Sequence, residues 1–268
     1  MNIFRMVGIL PALLPLLAML HGCAGSHRAD SSARFGDILK EYPAINEPLS
    51  LRRITLPFSG PAGPRSEASD VSIIVHPAYA LYIDRELDEQ YPAVKWRLMK
   101  EQFEREANYI SEQARLDNIV VLILPAGSLS RVVGSSSYAA YLNKTTGRKT
   151  SVFYMYSETI VSGNLSAQDI ATLCDFLQVV KSQRLLIGGG YIGRCQGELY
   201  RQIVKYCAAT KIYIVPEIST ISPADISDEE ASDIFRSVMR RDYSPVREFI
   251  LTSTDGNIQL LSVPQVRE

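Results

Sequence analysis

Three residues could form a nucleophilic site: Cys195, His76 and Glu158. Each follows a short apolar run. A cysteine at the mouth of a helix feels the partial positive charge of the helix N-terminus, which favours the thiolate. A histidine can take its proton, and a carboxylate can orient the imidazole. Apart from His21 and His27 near the start, His76 is the only histidine in the chain. Beside Cys195, the run Gly188-Gly189-Gly190-Tyr191-Ile192-Gly193 matches G-x-G-x-x-G, with the apolar run 185–187 before it and Glu217 at the end of the next run. That pattern admits a second chemistry, dinucleotide binding. Against it, the unit is the fourth of its kind in the chain and the spacing from Gly193 to Glu217 is long.

These residues need a scaffold. Runs at 71–75, 119–124, 152–156, 184–187 and 211–215 are rich in Val, Ile and Leu and continuous rather than alternating, as in strands covered on both faces. Helical patterns span 91–116, 166–181 and 196–208, and the charged stretch 84–105 reads as a solvated face. Ser166 with Asp169 is a capping-box variant, and Ser227-Asp228-Glu229-Glu230 opens a helix to about residue 241. Strands at 248–252 and 257–263 around Asp255-Gly256 read as a hairpin. The alternation predicts an α/β fold, a three-layer sandwich with a mostly parallel, doubly wound sheet, followed by a helix and a hairpin. Ligands of such sheets lie beyond the carboxyl ends of the strands. There the expected contributors are His76, Tyr79, Ser128, Glu158, Gly189, Gly190, Cys195 and Glu217. Tyr138, Tyr154 and Tyr156 fall on the same edge, where packing is their expected role.

The beginning of the chain carries an address. Residues 1–22 have a positive start and a short apolar run, as in a secretory signal. Leu20-His21-Gly22-Cys23 resembles the bacterial lipobox, which implies acylation of Cys23 and attachment to a lipid bilayer. Ala24 stands where Asp would argue for inner-membrane retention, and by resemblance to enterobacterial sorting this implies the outer membrane, facing the periplasm. The expected organisation is a signal peptide at 1–22, a lipidated tether at 23–33 and one α/β domain at 34–268, with a possible short helix at 34–42 and a breaker-rich loop at 57–70. Cys174, Cys195 and Cys207 remain. In an oxidising compartment an odd number suggests one pair and one free thiol. Cys195 and Cys207 would lie roughly 18 Å apart on one continuous helix and could not pair. A net charge of -1 gives no hint of nucleic acid, and no cofactor or metal motif is expected.

The order of elements over residues 70–220 resembles the isochorismatase-like cysteine hydrolases: a strand, a glycine turn, then a cysteine opening a helix at 195. The segment from Glu158-Thr159-Ile160-Val161 to Gln168-Asp169-Ile170 resembles that family's loop after its catalytic lysine. The resemblance implies an aspartate and a lysine where this chain has His76 and Glu158, so only Cys195 matches. Losing two of three catalytic residues favours a non-catalytic descendant that binds a small molecule or an envelope protein. The alternatives are a hydrolase with an altered Cys195–His76–Glu158 triad and dinucleotide binding through residues 188–193.

Overall fold

Where an apolar run has no polar alternation, both of its faces must be covered, and the sheet of this chain is built from such runs. The computed structural model describes residues 49–55, 70–82, 91–126, 137–207, 211–254 and 258–262. It contains six parallel strands: β1 (Arg52–Arg53), β2 (Val71–Val75), β3 (Ile119–Leu124), β4 (Val152–Tyr156), β5 (Arg184–Gly189) and β6 (Lys211–Ile214). Their order across the sheet is β1-β4-β3-β2-β5-β6. Every residue of β2 and β3 is buried. The five apolar runs are strands as expected. β5 runs two residues beyond 187, and the two-residue β1, an Arg-Arg edge with no apolar run to reveal it, was not anticipated.

The helices are α1 (Tyr79–Tyr82), α2 (Ala93–Arg115), α3 (Ser137–Thr146), α4 (Ala167–Val179), α5 (Cys195–Tyr206), α6 (Asp228–Met239) and α7 (Ser244–Ser253). One side of the sheet, with Ile73, Val75, Ile123 and Ile187, packs on Leu173 and Phe176 of α4 and Leu199 and Ile203 of α5. The other, with Ile74, Val120 and Leu122, packs on Ile110 and Ala114 of α2 and Tyr138 and Tyr141 of α3. Helices on both faces make the three layers of a doubly wound α/β fold. Ser166 caps α4, accepting the Asp169 N–H at 3.1 Å and donating to its carboxylate at 2.8 Å. Ser227 and Glu230 close a full capping box on α6.

The hairpin is overturned. Residues 248–252 lie inside α7, whose start is set by Pro245 and whose inward positions Val246 and Ile250 are four apart. That helical period turns Val246, Phe249 and Ile250 to one side, whereas a strand would turn the neighbours Phe249 and Ile250 to opposite faces. Leu260 instead forms a parallel bridge to Ile214 at the sheet edge. The Asp255-Gly256 turn, the 34–42 helix and residues 57–69 of the breaker-rich loop lie outside the described residues.

After β2 the chain steps outward to β3 and β4, then returns past β2 to β5 and β6. The turns leaving β2 and β5 therefore diverge, and a crevice opens between the carboxyl ends of these neighbours. The bridge Cys174–Cys207 ties α4 to the residue closing α5, with Cα atoms 5.2 Å apart, and Cys195 is left free.

Candidate functional site

The crevice begins with backbone in a costly shape. His76 (φ +45°) and Ala78 (φ +54°), flanking Pro77, lie in the left-handed region that disfavours L side chains. Besides its own bond from the Tyr79 N–H to the His76 carbonyl at 3.0 Å, three hydrogen bonds tie this turn to the elements around it. The His76 N–H donates to the Ile123 carbonyl at 2.8 Å, and the Tyr138 hydroxyl to the Pro77 carbonyl at 2.8 Å. The Ala78 N–H donates to Glu106 Oε1 at 2.7 Å.

His76 is 0% exposed and its ring stacks on Tyr79, with centroids 5.1 Å apart. Its Nε2 lies 3.0 Å from Ser157 Oγ, whose own proton goes to the Thr159 carbonyl at 2.7 Å. Nε2 is therefore the donor, and Nδ1 keeps a buried lone pair with no hydrogen-bond partner. Burial pushes the imidazole down to about 3, because nothing beside it repays the desolvation of a charged ring. It is neutral at any ordinary pH.

Glu158 is exposed, and among the described residues His76 bonds Ser157 and not Glu158. Its neighbour Ser157 takes the orienting place assigned to it. The physical reason is alternation: consecutive residues leaving β4 point to opposite sides, so only one of the pair can face the crevice. The following loop is pinned to α5. Glu198 accepts from the Ser162 hydroxyl and the Gly163 N–H, and the Gln202 side chain bonds both the N–H and the carbonyl of Leu165. The fit is so close that a Cβ on Gly163 would sit 1.8 Å from the Cys195 carbonyl oxygen.

Cys195 opens α5 at the same edge as His76, and the two are not hydrogen-bonded. Its Sγ accepts the Tyr191 N–H at 3.2 Å, and the residue is 2% exposed. Burial pushes the thiol up to about 11, against the opposing pull of the Tyr191 and Gln196 N–H groups. The helix terminus was expected to favour the thiolate. Desolvation outweighs it.

The glycine turn is full. Gly189 (φ +67°) and Gly190 (φ +60°) adopt conformations suited to glycine. A Cβ on Gly189 would lie 2.5 Å from the Val75 carbonyl and 3.0 Å from Glu106 Oε2, and one on Gly190 would lie 2.9 Å from Cys195 Sγ. The N–H of Tyr191 is spent on that sulfur and the N–H of Ile192 on the Thr220 carbonyl. Space and donors that a phosphate would need are occupied by the protein itself, which removes the physical basis for dinucleotide binding at 188–193.

Of the remaining expected contributors, Tyr79 is buried against His76 and Tyr191. Glu217 lies in a buried 3-10 turn beneath α2, where its carbonyl accepts from Arg105 at 2.8 Å and its Oε2 has no partner. Tyr154 and Tyr156 pack edge to face on each other, away from the crevice turn. Ser128 and Cys23 lie outside the described residues.

Sequence reasoning missed Glu106. It is 2% exposed, and burial pushes its carboxyl up to about 8 although the Ala78 N–H pulls the other way. The signal was present: Met99, Phe103, Glu106 and Ile110 recur at the period of a helix face, which puts this glutamate on the apolar stripe of α2. Beside it lies a cavity of about 20 Å³, lined by Glu106, Tyr79, Gly190 and Thr220 among others. It has room for about one water. Among the described residues no group of three His, Cys, Asp or Glu side chains is placed to hold a metal ion.

No family model matches this chain, and no curated protein matches it. Among solved structures it is similar to a nicotinamidase from Staphylococcus aureus, at 14% identity and a TM-score of 0.41, covering 65% of this chain and 96% of that one. A pyrazinamidase/nicotinamidase from Streptococcus mutans gives 12% identity and a TM-score of 0.41, over 65% and 97%. An octameric hydrolase of unknown specificity from Escherichia coli gives 10% identity and a TM-score of 0.39, over 72% and 75%.

Proposed function

We propose that this chain is a lipid-anchored extracytoplasmic protein whose α/β domain binds a small molecule or an envelope protein without using Cys195 as a nucleophile. The observation that carries the reading is the state of Cys195: buried, hydrogen-bonded through its sulfur to the Tyr191 N–H, and not paired with a base. A Cys–His–acid mechanism needs an imidazole within reach of the thiol and a carboxylate behind the imidazole. His76 instead donates to Ser157, and Glu158 faces solvent. The Cys174–Cys207 bridge suits an oxidising compartment, which supports export. The lipobox-like Leu20–Cys23 stretch supports the bilayer as the partner of the N-terminus, with the periplasmic face of the outer membrane as the working location. A net charge of -1 leaves nucleic acid without an electrostatic footprint.

Alkylation by iodoacetamide tests this. At pH 7 a thiol titrating at about 11 has roughly 100-fold less thiolate than one at the ordinary value of 9.0. Cys195 is expected to label slowly in the folded protein and at an ordinary rate after unfolding. Rapid labelling at pH 7, slowed by His76→Ala, would instead establish the altered triad. The location has its own test. Cys23→Ser is expected to abolish acylation and move the protein from the membrane fraction to the soluble one. Retention in the membrane after signal removal would defeat the lipoprotein assignment.

A further inference from the structure

Glu106 reaches both sides of the crevice. Its Oε1 takes the Ala78 N–H from the strained turn after β2, and its Oε2 lies 3.0 Å from where a Cβ on Gly189 would stand, at the end of β5. The water-sized cavity opens beside it, against Gly190, where an added Cβ would stand 2.9 Å from Cys195 Sγ.

Among the described residues no cation contributes to stabilising the ionised form. Around this carboxyl stand the Tyr138 hydroxyl on α3 and, lining the same cavity, Tyr79 after β2 and Thr220 after β6; the neutral His76 stacks on Tyr79, and the Cys195 thiol lies beside Gly190. On its own helix Tyr109 is bonded to Ser72, and Arg105 bonds the Glu217 carbonyl beside Glu101 and the Tyr243 ring, its buried Nη2 having no hydrogen-bond partner among the described residues.

We propose that Glu106 is a proton-operated clasp. As a carboxylic acid it closes the ends of β2 and β5 over Cys195, and on losing its proton to water it draws solvent into the cavity and releases the His76–Ala78 turn.

Two forces compete when the proton leaves. The bond from the Ala78 N–H becomes charge-assisted and stronger, but one donor cannot replace the hydration of a carboxylate. Water entering the cavity is the nearest relief. It parts α2 from the strand ends, and the left-handed residues His76 and Ala78 relax as the turn loosens. The burial that raises Glu106 to about 8 is the same imbalance seen from the proton's side.

The clasp goes beyond the binding reading and is separable from it. The experiment compares wild type with Glu106→Gln, which keeps an oxygen for the Ala78 N–H and cannot ionise. Cys195 labelling by iodoacetamide is measured from pH 7 to 9 and divided by the thiolate fraction. In wild type the corrected rate is expected to rise about tenfold across this range, and in Glu106→Gln to stay flat. A flat wild-type profile, or the same rise in the variant, would overturn the clasp. Should Glu106→Gln not fold, hydrogen exchange at the wild-type Ala78 amide decides. Acceleration beyond ordinary base catalysis between pH 7 and 9 supports the clasp, and its absence refutes it. Fast labelling already at pH 7 would end the binding reading while leaving this comparison intact.

Discussion

Unfolding free energy plotted against pH is expected to show a plateau between pH 4.5 and 6.5 and to fall on both sides. Two buried groups set this shape. The unfolded chain protonates His76 near 6.5 and the folded one only at about 3, so stability declines as pH drops through that interval. The unfolded chain ionises Glu106 near 4.5 and the folded one only at about 8, so stability declines as pH rises through that interval. Where the intervals overlap the two slopes cancel. Outside the overlap each arm amounts to about 2 kcal/mol, at roughly 1.4 kcal/mol per pH unit. Glu112 (bonded to Arg115), Glu230 (bonded to Ser227) and Asp242 (bonded to Ser244) are held below the usual carboxylate range, which steepens the acid arm in the same direction.

Single substitutions should take this profile apart. In Glu106→Gln the alkaline arm should vanish, leaving stability to rise up to pH 6.5 and then hold. Relative to wild type, the variant should gain about 4 kcal/mol between pH 4 and pH 9. Urea denaturation at half-unit steps of pH reads this directly. An alkaline arm that survives in Glu106→Gln would mean that another group carries it.

Loss of the Cys174–Cys207 bridge is the second large expected effect. It closes a loop with a sequence separation of 33, for which the chain-entropy estimate is about 3–4 kcal/mol. Reduction with dithiothreitol, or the double substitution Cys174→Ser and Cys207→Ser, should lower the unfolding free energy by about that amount. Cys207 closes α5 with its N–H on the Ile203 carbonyl, and Cys174 sits mid-way along α4, so loosening should concentrate between these two helices. Equal denaturation midpoints for oxidised and reduced protein would show that the bridge does not form. An equal loss in Cys195→Ser would show that the thiols pair differently.

Much of the architecture was legible because burial on both faces leaves a mark in one dimension. A strand sealed by helices above and below cannot alternate, so 71–75 and 119–124 could be read directly. Capping chemistry is equally local, and Ser166 and Ser227 act as their spacing foretold. The failures share one cause. The stretch 248–252 has the composition of a strand, yet Pro245 and the placing of Val246, Phe249 and Ile250 on one helical side make it helical once a core exists to receive them. The surrounding fold chooses between two local readings of one short apolar run.

The site divides along the same line. Residue types and their order determined that His76, Glu158 and Cys195 follow strands β2, β4 and β5, and so that they approach one edge of one sheet. They could not determine which way each side chain faces, how much water reaches it, or what else arrives from elements distant in the chain. Those are properties of packing. Tertiary structure turned Glu158 outward and put Ser157 on His76, and it buried Cys195 deeply enough for desolvation to outweigh the helix terminus. It also brought Glu106, from the middle of a helix that reads as solvated, against the Ala78 N–H. Spacing along a chain sets which groups can meet. The free energy of removing them from water sets what they are once they have met.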